Sequence, residues 1–310
     1  MKRIAWISAV TTGLVFPLIA LGAIVRLHGA GLACPDWPLC YGRVTPLNDV
    51  ISPPPQGFRI ALEVGHRYWA GTVGLLVFGL AAAAWTTFRE FVSVKWLSVV
   101  AVGLLIPQAI LGALTVWMKL APITVSLHLI AGNLFFGSMI LLTLQFFRAA
   151  RLEEGAQRQD GLLGGRSFRL AALAALVVVA MQIWLGGWVS ASGASMICPE
   201  FPSCHGEWAL PGNYHEWLQM SHRLVGFLAA GVIALVSVLG LRSSRLSGKL
   251  RALSAGLTVL VVAQILLGWF NVAHYVPVPT SALHTAVAAL IFGLLTYLVG
   301  RSWLPAPTRT

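Results

Sequence analysis

Eight apolar runs, each close to the roughly 20 residues that carry a helix across a bilayer, dominate the chain. They fall at about 4–25, 68–86, 96–117, 123–147, 170–189, 218–241, 253–272 and 281–299. Lipid offers backbone N–H and C=O groups no partner, so runs of this length and spacing must close their hydrogen bonds internally as helices. The expected fold is an all-α membrane protein with eight transmembrane helices. The mixed stretch 60–67 allows the second helix to begin two turns earlier. Met1-Lys2-Arg3 ahead of an apolar run resembles a signal peptide, but the run is too long and Leu21–Val25 is a poor cleavage site, so it is read as the first span.

Hydrophobic residues make up 57% of the 310 and charged ones 10%, with a mean hydropathy of +0.80, well beyond what a soluble domain needs. The net charge of +11 does not indicate nucleic acid. That partner requires basic residues on one solvated face, and here they occupy the gaps between apolar runs. Of the 21 Lys and Arg residues, Arg26, Arg43, Arg59 and Lys119 fall on one side, Arg67 and Arg223 lie at helix ends, and the others fall on the opposite side. The excess marks the cytoplasmic face, which places both termini of a multi-pass membrane protein inside.

The chain repeats. Cys34-Pro35-Asp36-Trp37-Pro38-Leu39-Cys40 returns as Cys198-Pro199-Glu200-Phe201-Pro202-Ser203-Cys204 at an offset of 164. Downstream, His66 to His222, Gln108 to Gln264, Gly112 to Gly268 and His128 to His284 are each offset by 156, so the first loop is longer by 8 and holds Pro53-Pro54-Pro55 in the surplus. This predicts a duplicated four-helix unit. Four crossings return the chain to its starting side, so the expected architecture is two parallel four-helix bundles related by a pseudo-two-fold axis along the membrane normal. The predicted organisation is an N-terminal half at 1–147, a mobile cytoplasmic linker at 148–169 and a C-terminal half at 170–310, with 305–310 a short tail.

Two histidine pairs sit in this frame. His66 and His128, like His222 and His284, are 62 residues apart, near the outer ends of parallel helices. Opposed imidazoles across a bundle can supply both axial ligands of a haem iron. The bland alternative is a set of polar contacts between helices, against which four positions at duplicated spacing weigh. Zinc favours ligands clustered in sequence or thiolates nearby, and without Cys-x-x-Cys-His covalent attachment is excluded. Arg67 and Arg223 each follow a histidine, where a guanidinium can fork onto a haem propionate or anchor at the interface by snorkelling.

The halves differ at one position. Glu63 lies one turn outward of His66 on the same helical face, and its counterpart is the neutral Gln219. One pocket thus holds a carboxylate that can take a proton or stabilise a developing cation, and the other only a dipole. The competing reading of Glu63 is a solvated acid at a helix N-terminus. All four cysteines fall on the outer face, which predicts local bridges Cys34–Cys40 and Cys198–Cys204. Their role is structural in the second half, and structural or redox-active in the first. Gln108 and Gln264 are read as interhelical hydrogen-bonding groups. His28, His205, His215 and His274 lack repeat counterparts and receive no role.

The motif Gly31-Leu32-Ala33-Cys34-Pro35-Asp36-Trp37-Pro38-Leu39-Cys40, with Glu63-x-x-His66-Arg67, Leu127-His128, Ser221-His222-Arg223 and Leu283-His284, resembles the haem A synthase family over nearly all eight helices. Paired cysteines in both loops resemble its bacterial type. The resemblance implies oxidation of the C8 methyl of haem O, through an alcohol, to the formyl group of haem A for terminal oxidases. It implies that His66 and His128 face the substrate haem, that His222 and His284 ligate a haem b cofactor beside Arg223, and that Glu63 is catalytic. As partners it implies haem O and the farnesyltransferase supplying it, membrane lipid and an electron acceptor; it admits a homo-oligomer. A di-haem b electron-transfer cytochrome and a haem carrier or assembly protein without chemistry remain the alternative functions.

Overall fold

A computed structural model describes residues 1–155, 163–206 and 211–309. All eight predicted helices are present: α1 Lys2–Leu27, α2 Gln56–Thr86, α3 Val92–Trp117, α4 Pro122–Glu153, α5 Arg166–Ala191, α6 Tyr214–Arg242, α7 Gly248–Ala273 and α8 Val278–Trp303. Each is long and apolar enough to cross a membrane, and many apolar side chains point outward, among them Leu75, Trp96 and Val259. In a protein that keeps lipid-soluble side chains on its surface, the solvent for that surface is the bilayer. The chain is a multi-pass membrane protein.

Helix α2 starts more than three turns before Tyr68, further out than the two turns expected. The 148–169 stretch is also shorter as a connection than expected. Helix α4 runs on through Glu153 and α5 begins at Arg166, and the mobility expected of this linker concerns 156–162, outside the described residues. Local chemistry fixes several helix starts. Asn213 accepts from the Glu216 N–H at 3.0 Å while the Glu216 carboxylate accepts from Asn213 Nδ2 at 2.8 Å and from the Gly212 N–H at 2.7 Å, a reciprocal cap that satisfies orphan donors of the first turn of α6. Pro122 opens α4, where its missing N–H costs nothing.

Each half has its own apolar core. One is built from α1 to α4 around Val15, Val73, Phe88 and Phe146, the other from α5 to α8 around Phe168, Ile233, Leu257 and Leu295. Within each half the helices pack in the same order, and α1 and α4 lie against α5 and α8 at the seam. There the contact is reciprocal: a Cβ on Gly137 would meet Phe292 at 3.1 Å, and one on Gly293 would meet Phe136 at 2.7 Å. Glycine is required where one helix must accept the aromatic ring of the other.

Both disulfides sit at one end of the bundle, which we call the disulfide face. At the opposite end the C-terminal segment is not a free tail. Gln145 Nε2 donates to Pro305 O at 3.0 Å, Arg148 Nη1 donates to Leu304 O at 2.9 Å, Ala306 is buried, and Arg309 pairs with Glu153 and bridges to Phe91. The last residues of the second half are thereby fastened to the first.

Candidate haem-binding and oxidation site

One cavity of about 990 Å³ opens between the helices toward the disulfide face, and His66, His128, His222 and His284 all line it. Its volume is at the upper end of the range for small-molecule sites. The four histidines lie within about the first three turns of α2, α4, α6 and α8. The structure therefore brings the four predicted histidines to one space with Glu63, Arg67, Gln219 and Arg223.

Each ring rests on a glycine of the helix before it. A Cβ on Gly22 of α1 would stand 3.2 Å from His66 Nε2, one on Gly112 of α3 3.1 Å from His128 Cε1, one on Gly186 of α5 2.9 Å from His222 Cε1, and one on Gly268 of α7 3.3 Å from His284 Cε1. Every odd-numbered helix supplies the bare backbone, and every even-numbered helix supplies the imidazole. Gly112 and Gly268 belong to the repeat read from the sequence; the other two were missed, although Gly22 and Gly186 share the 164-residue offset of the cysteine loops.

Hydrogen bonds settle which ring nitrogen is available. His128 Nδ1 lies 3.1 Å from Gln108 O; a carbonyl cannot donate, so Nδ1 carries the proton and the lone pair is on Nε2. That Nε2 faces Gln108 Nε2 at 3.4 Å. Gln182 Nε2 donates to His222 O at 2.9 Å and lies 3.4 Å from His222 Nε2, which puts that lone pair on Nε2 as well. Gln108 thus acts on a histidine, as an interhelical group was expected to. Gln182 has the leucine Leu18 as its repeat counterpart, so no repeat signal pointed to it.

Several polar atoms lining this cavity are buried without a partner among the described residues: Oε1 of Gln108, Gln182, Gln219 and Gln264, and Oδ1 of Asn133. The Nδ1 atom of His222 is in the same state. Buried polar groups are rarely left unsatisfied, so the cavity is built for something with polar edges. Four imidazoles, with Nε2 lone pairs on His128 and His222, glycine-flattened walls and a largely apolar lining fit iron porphyrins held by histidines.

The disulfide loops close the cavity, and the two arginines hold them. Cys34–Cys40 and Cys198–Cys204 are both bonded. Arg67 Nη1 donates to Asp36 O at 2.8 Å and Leu39 O at 2.5 Å; Arg223 Nη1 donates to Glu200 O at 2.6 Å and to Ser203 O. Asp36 trims the first loop further by accepting from the N–H groups of Tyr41 and Gly42, each at 2.7 Å. Partial desolvation pushes the Asp36 carboxyl upward, but those two backbone donors outweigh it and hold the group below the ordinary carboxylate range.

Glu63 is buried and doubly engaged, with Oε2 accepting from the Cys34 N–H at 2.8 Å and Oε1 from Arg67 Nη2 at 2.6 Å. It is not a solvated helix-terminal acid. Gln219 is equally buried but only donates to Ser195 O, at 3.4 Å. Arg223 Nη2 instead donates to Cys198 O at 2.6 Å. Where metal ligands of other kinds gather among the described residues, at Cys204, His205 and Glu216, the thiol is tied up in its disulfide.

The rim between helices is duplicated too. Lys119 and Leu120 between α3 and α4, and Tyr275 and Val276 between α7 and α8, are consecutive residues with φ between 50° and 60°. Such left-handed conformations in bulky residues are strained and persist only when packing fixes them. They hold Leu120 and Val276 on the cavity wall.

Comparison with known proteins agrees with this geometry. The family described as Cytochrome oxidase assembly protein, COX15-CtaA, matches residues 5–296. The chain is 28% identical over 302 residues to the Heme A synthase of Bacillus licheniformis, covering 96% of this chain and 95% of that protein. It is 29% identical over 303 residues to the Heme A synthase of Shouchella clausii, with 96% of each covered. Against the Heme A synthase of Bacillus cereus it is 27% identical over 303 residues, covering 96% of this chain and 93% of the relative.

Proposed function

The chain belongs to the COX15-CtaA family of cytochrome oxidase assembly proteins, and from that premise we propose how its two halves divide the work of a haem A synthase. The protein is an oxidoreductase that acts on haem O and yields haem A. Its N-terminal half, 1–147, would hold the substrate, with His66 and His128 as the residues that hold its iron. Its C-terminal half, 170–310, holds haem b between His222 and His284. Haem b, held there by His222 and His284, would supply one-electron redox chemistry. Arg67 and Arg223 each keep an Nε–H and one Nη2–H beyond the bonds they make to their loops, and these are the propionate donors of the two pockets. The Cys34–Cys40 and Cys198–Cys204 bridges shape the loops that those arginines hold.

Glu63 is the acid that distinguishes the pockets. Its carboxylate, oriented by the Cys34 N–H and Arg67, takes a proton from water or stabilises positive charge developing at the substrate methyl carbon. Burial excludes competing water and strengthens both effects. The observation that carries this reading is that four histidines line one cavity while only one pair has a carboxylate beside it. The reciprocal contacts Gly137–Phe292 and Gly293–Phe136, offset by 156, support a pseudo-two-fold axis through the seam. Lys and Arg counts support a cell-membrane protein with both termini cytoplasmic and the disulfide face outside. The farnesyltransferase that makes haem O is its supplier.

Expression with a source of haem O, followed by pigment extraction and mass analysis, tests the assignment. Hydroxylated and formylated haem are expected. Recovery of haem O alone would mean a cytochrome or a carrier instead.

A further inference from the structure

Arg26 stands in the last turn of α1, and its repeat counterpart on α5 is Ser190, offset by the 164 residues that relate Gly22 to Gly186. The two counterparts meet, since Arg26 Nη1 donates to Ser190 Oγ at 2.5 Å across the seam. One turn before them on the same helical faces lie Gly22 and Gly186, the glycines on which His66 and His222 rest. Arg26 is therefore placed where the rims of the two histidine pockets touch, and it lines the cavity shared by both pairs.

Its charge has no counter-ion among the described residues. Among the described residues no carboxylate lies within ion-pair distance of Arg26, and Ser190 is its one side-chain hydrogen-bond partner. Holding a half-buried guanidinium against a neutral hydroxyl is costly unless an anion arrives. The other two arginines on the rim are different: their Nη1 groups serve loop carbonyls and their Nη2 groups serve Glu63 or Cys198 O. Arg26 makes no such loop contacts, and Ser190 holds one corner of it in place before a ligand comes, which lowers the cost of ordering it on binding.

We propose that Arg26 is a positioning residue that binds a carboxylate of the substrate: it takes a propionate of the porphyrin held by His66 and His128, using N–H groups that Ser190 leaves free. The assignment to the first pocket follows from α1, which carries both Arg26 and the glycine beneath His66. The proposal rests on the function proposed above and adds to it the group that fixes the porphyrin's rotation about its iron axis. A planar fork suits a carboxylate, and a charge-assisted pair of this kind corresponds to about a 10- to 100-fold change in affinity.

Purified wild type, Arg26→Gln, Arg26→Lys and Ser190→Ala are titrated with haem O and with its dimethyl ester, whose propionates carry no charge, and binding is read from the Soret band. Wild type should prefer the acid over the ester by about 10- to 100-fold. Arg26→Gln should lose most of that preference, keeping only what Arg67 supplies, and Arg26→Lys and Ser190→Ala should lose less of it. In turnover the loss should appear in KM more than in kcat. Undiminished preference for the acid in Arg26→Gln overturns the proposal; if that variant does not accumulate, undiminished preference in Arg26→Lys and Ser190→Ala overturns it equally. Equal binding of acid and ester by wild type also overturns it while leaving the synthase reading intact. Absence of any haem O binding by wild type would instead sink the synthase reading on which it rests.

Discussion

The two disulfide loops are copies fastened in different ways. In the second half the arginine reaches its loop directly, Arg223 donating to carbonyls at both ends of the Cys198–Cys204 bridge region. In the first half Arg67 Nη1 reaches the Asp36 and Leu39 carbonyls just as directly, but its Nη2 grips Glu63, and Glu63 in turn grips the Cys34 N–H. The second copy demonstrates that a loop of this kind closes without an acid. Glu63 is thus surplus to the fold, and a buried charge that the architecture does not require points to chemistry.

The largest effect expected from breaking this contrast is chemical. Glu63→Gln gives the first half the side chain of the second. Haem A formation should fall by at least about 100-fold, with haem O accumulating and the protein still folded, as pigment analysis of the membranes would report. A yield within a few-fold of wild type would make the difference between the copies ornamental.

Next comes stability. Arg67→Ala strands a buried carboxylate and should cost about 3–5 kcal/mol, whereas Arg223→Ala strands only carbonyls and should cost about 1–3 kcal/mol. Thermal unfolding in detergent reads both, and adding Glu63→Gln to Arg67→Ala should recover part of the loss. Equal losses in the two halves would mean that Glu63 is protonated or hydrated when Arg67 is gone.

The glycines test how alike the copies are. Alanine at Gly186, where Cβ would stand 2.9 Å from the His222 ring, should disturb its pocket more than alanine at Gly268, where the gap to His284 is 3.3 Å. Overpacking of this kind costs about 1–3 kcal/mol. The absorption spectrum of the haem proposed for that pocket is the readout, with broadening or loss in Gly186→Ala.

The smallest effect concerns pH. The Asp36 carboxyl is held below its ordinary range, so the stability it contributes is present above that range and disappears as pH falls through its lowered value. The first loop should therefore be insensitive to pH near neutrality and loosen only in strong acid. Faster proteolysis near the loop, measured across pH, follows the change, and Asp36→Asn should flatten the dependence.

Much of this arrangement could be read in the chain before any coordinates. Span length fixed the eight helices, because a bilayer leaves the backbone no other option. The His-to-His and Cys-to-Cys offsets exposed the duplication and identified Glu63 and Gln219 as its point of divergence. What stayed hidden were contacts made by common residues in one copy only, or by backbone. Gln182 has Leu18 for a counterpart, so no repeat pointed to it. The arginines' attachment to loop carbonyls involves acceptors every residue possesses. The early start of α2 was obscured because Gln56 and Arg59 are polar and Gly57 is a poor helix former, and no hydropathy signal marks helix that projects beyond lipid.

The docked C-terminus has a practical consequence. Because Leu304 and Pro305 give their carbonyls to Arg148 and Gln145, and Arg309 reaches Glu153, an affinity tag fused directly after Thr310 would tug on the clasp that joins the last helix to the fourth. A spacer there, or a handle at the other terminus, would leave that clasp shut during purification.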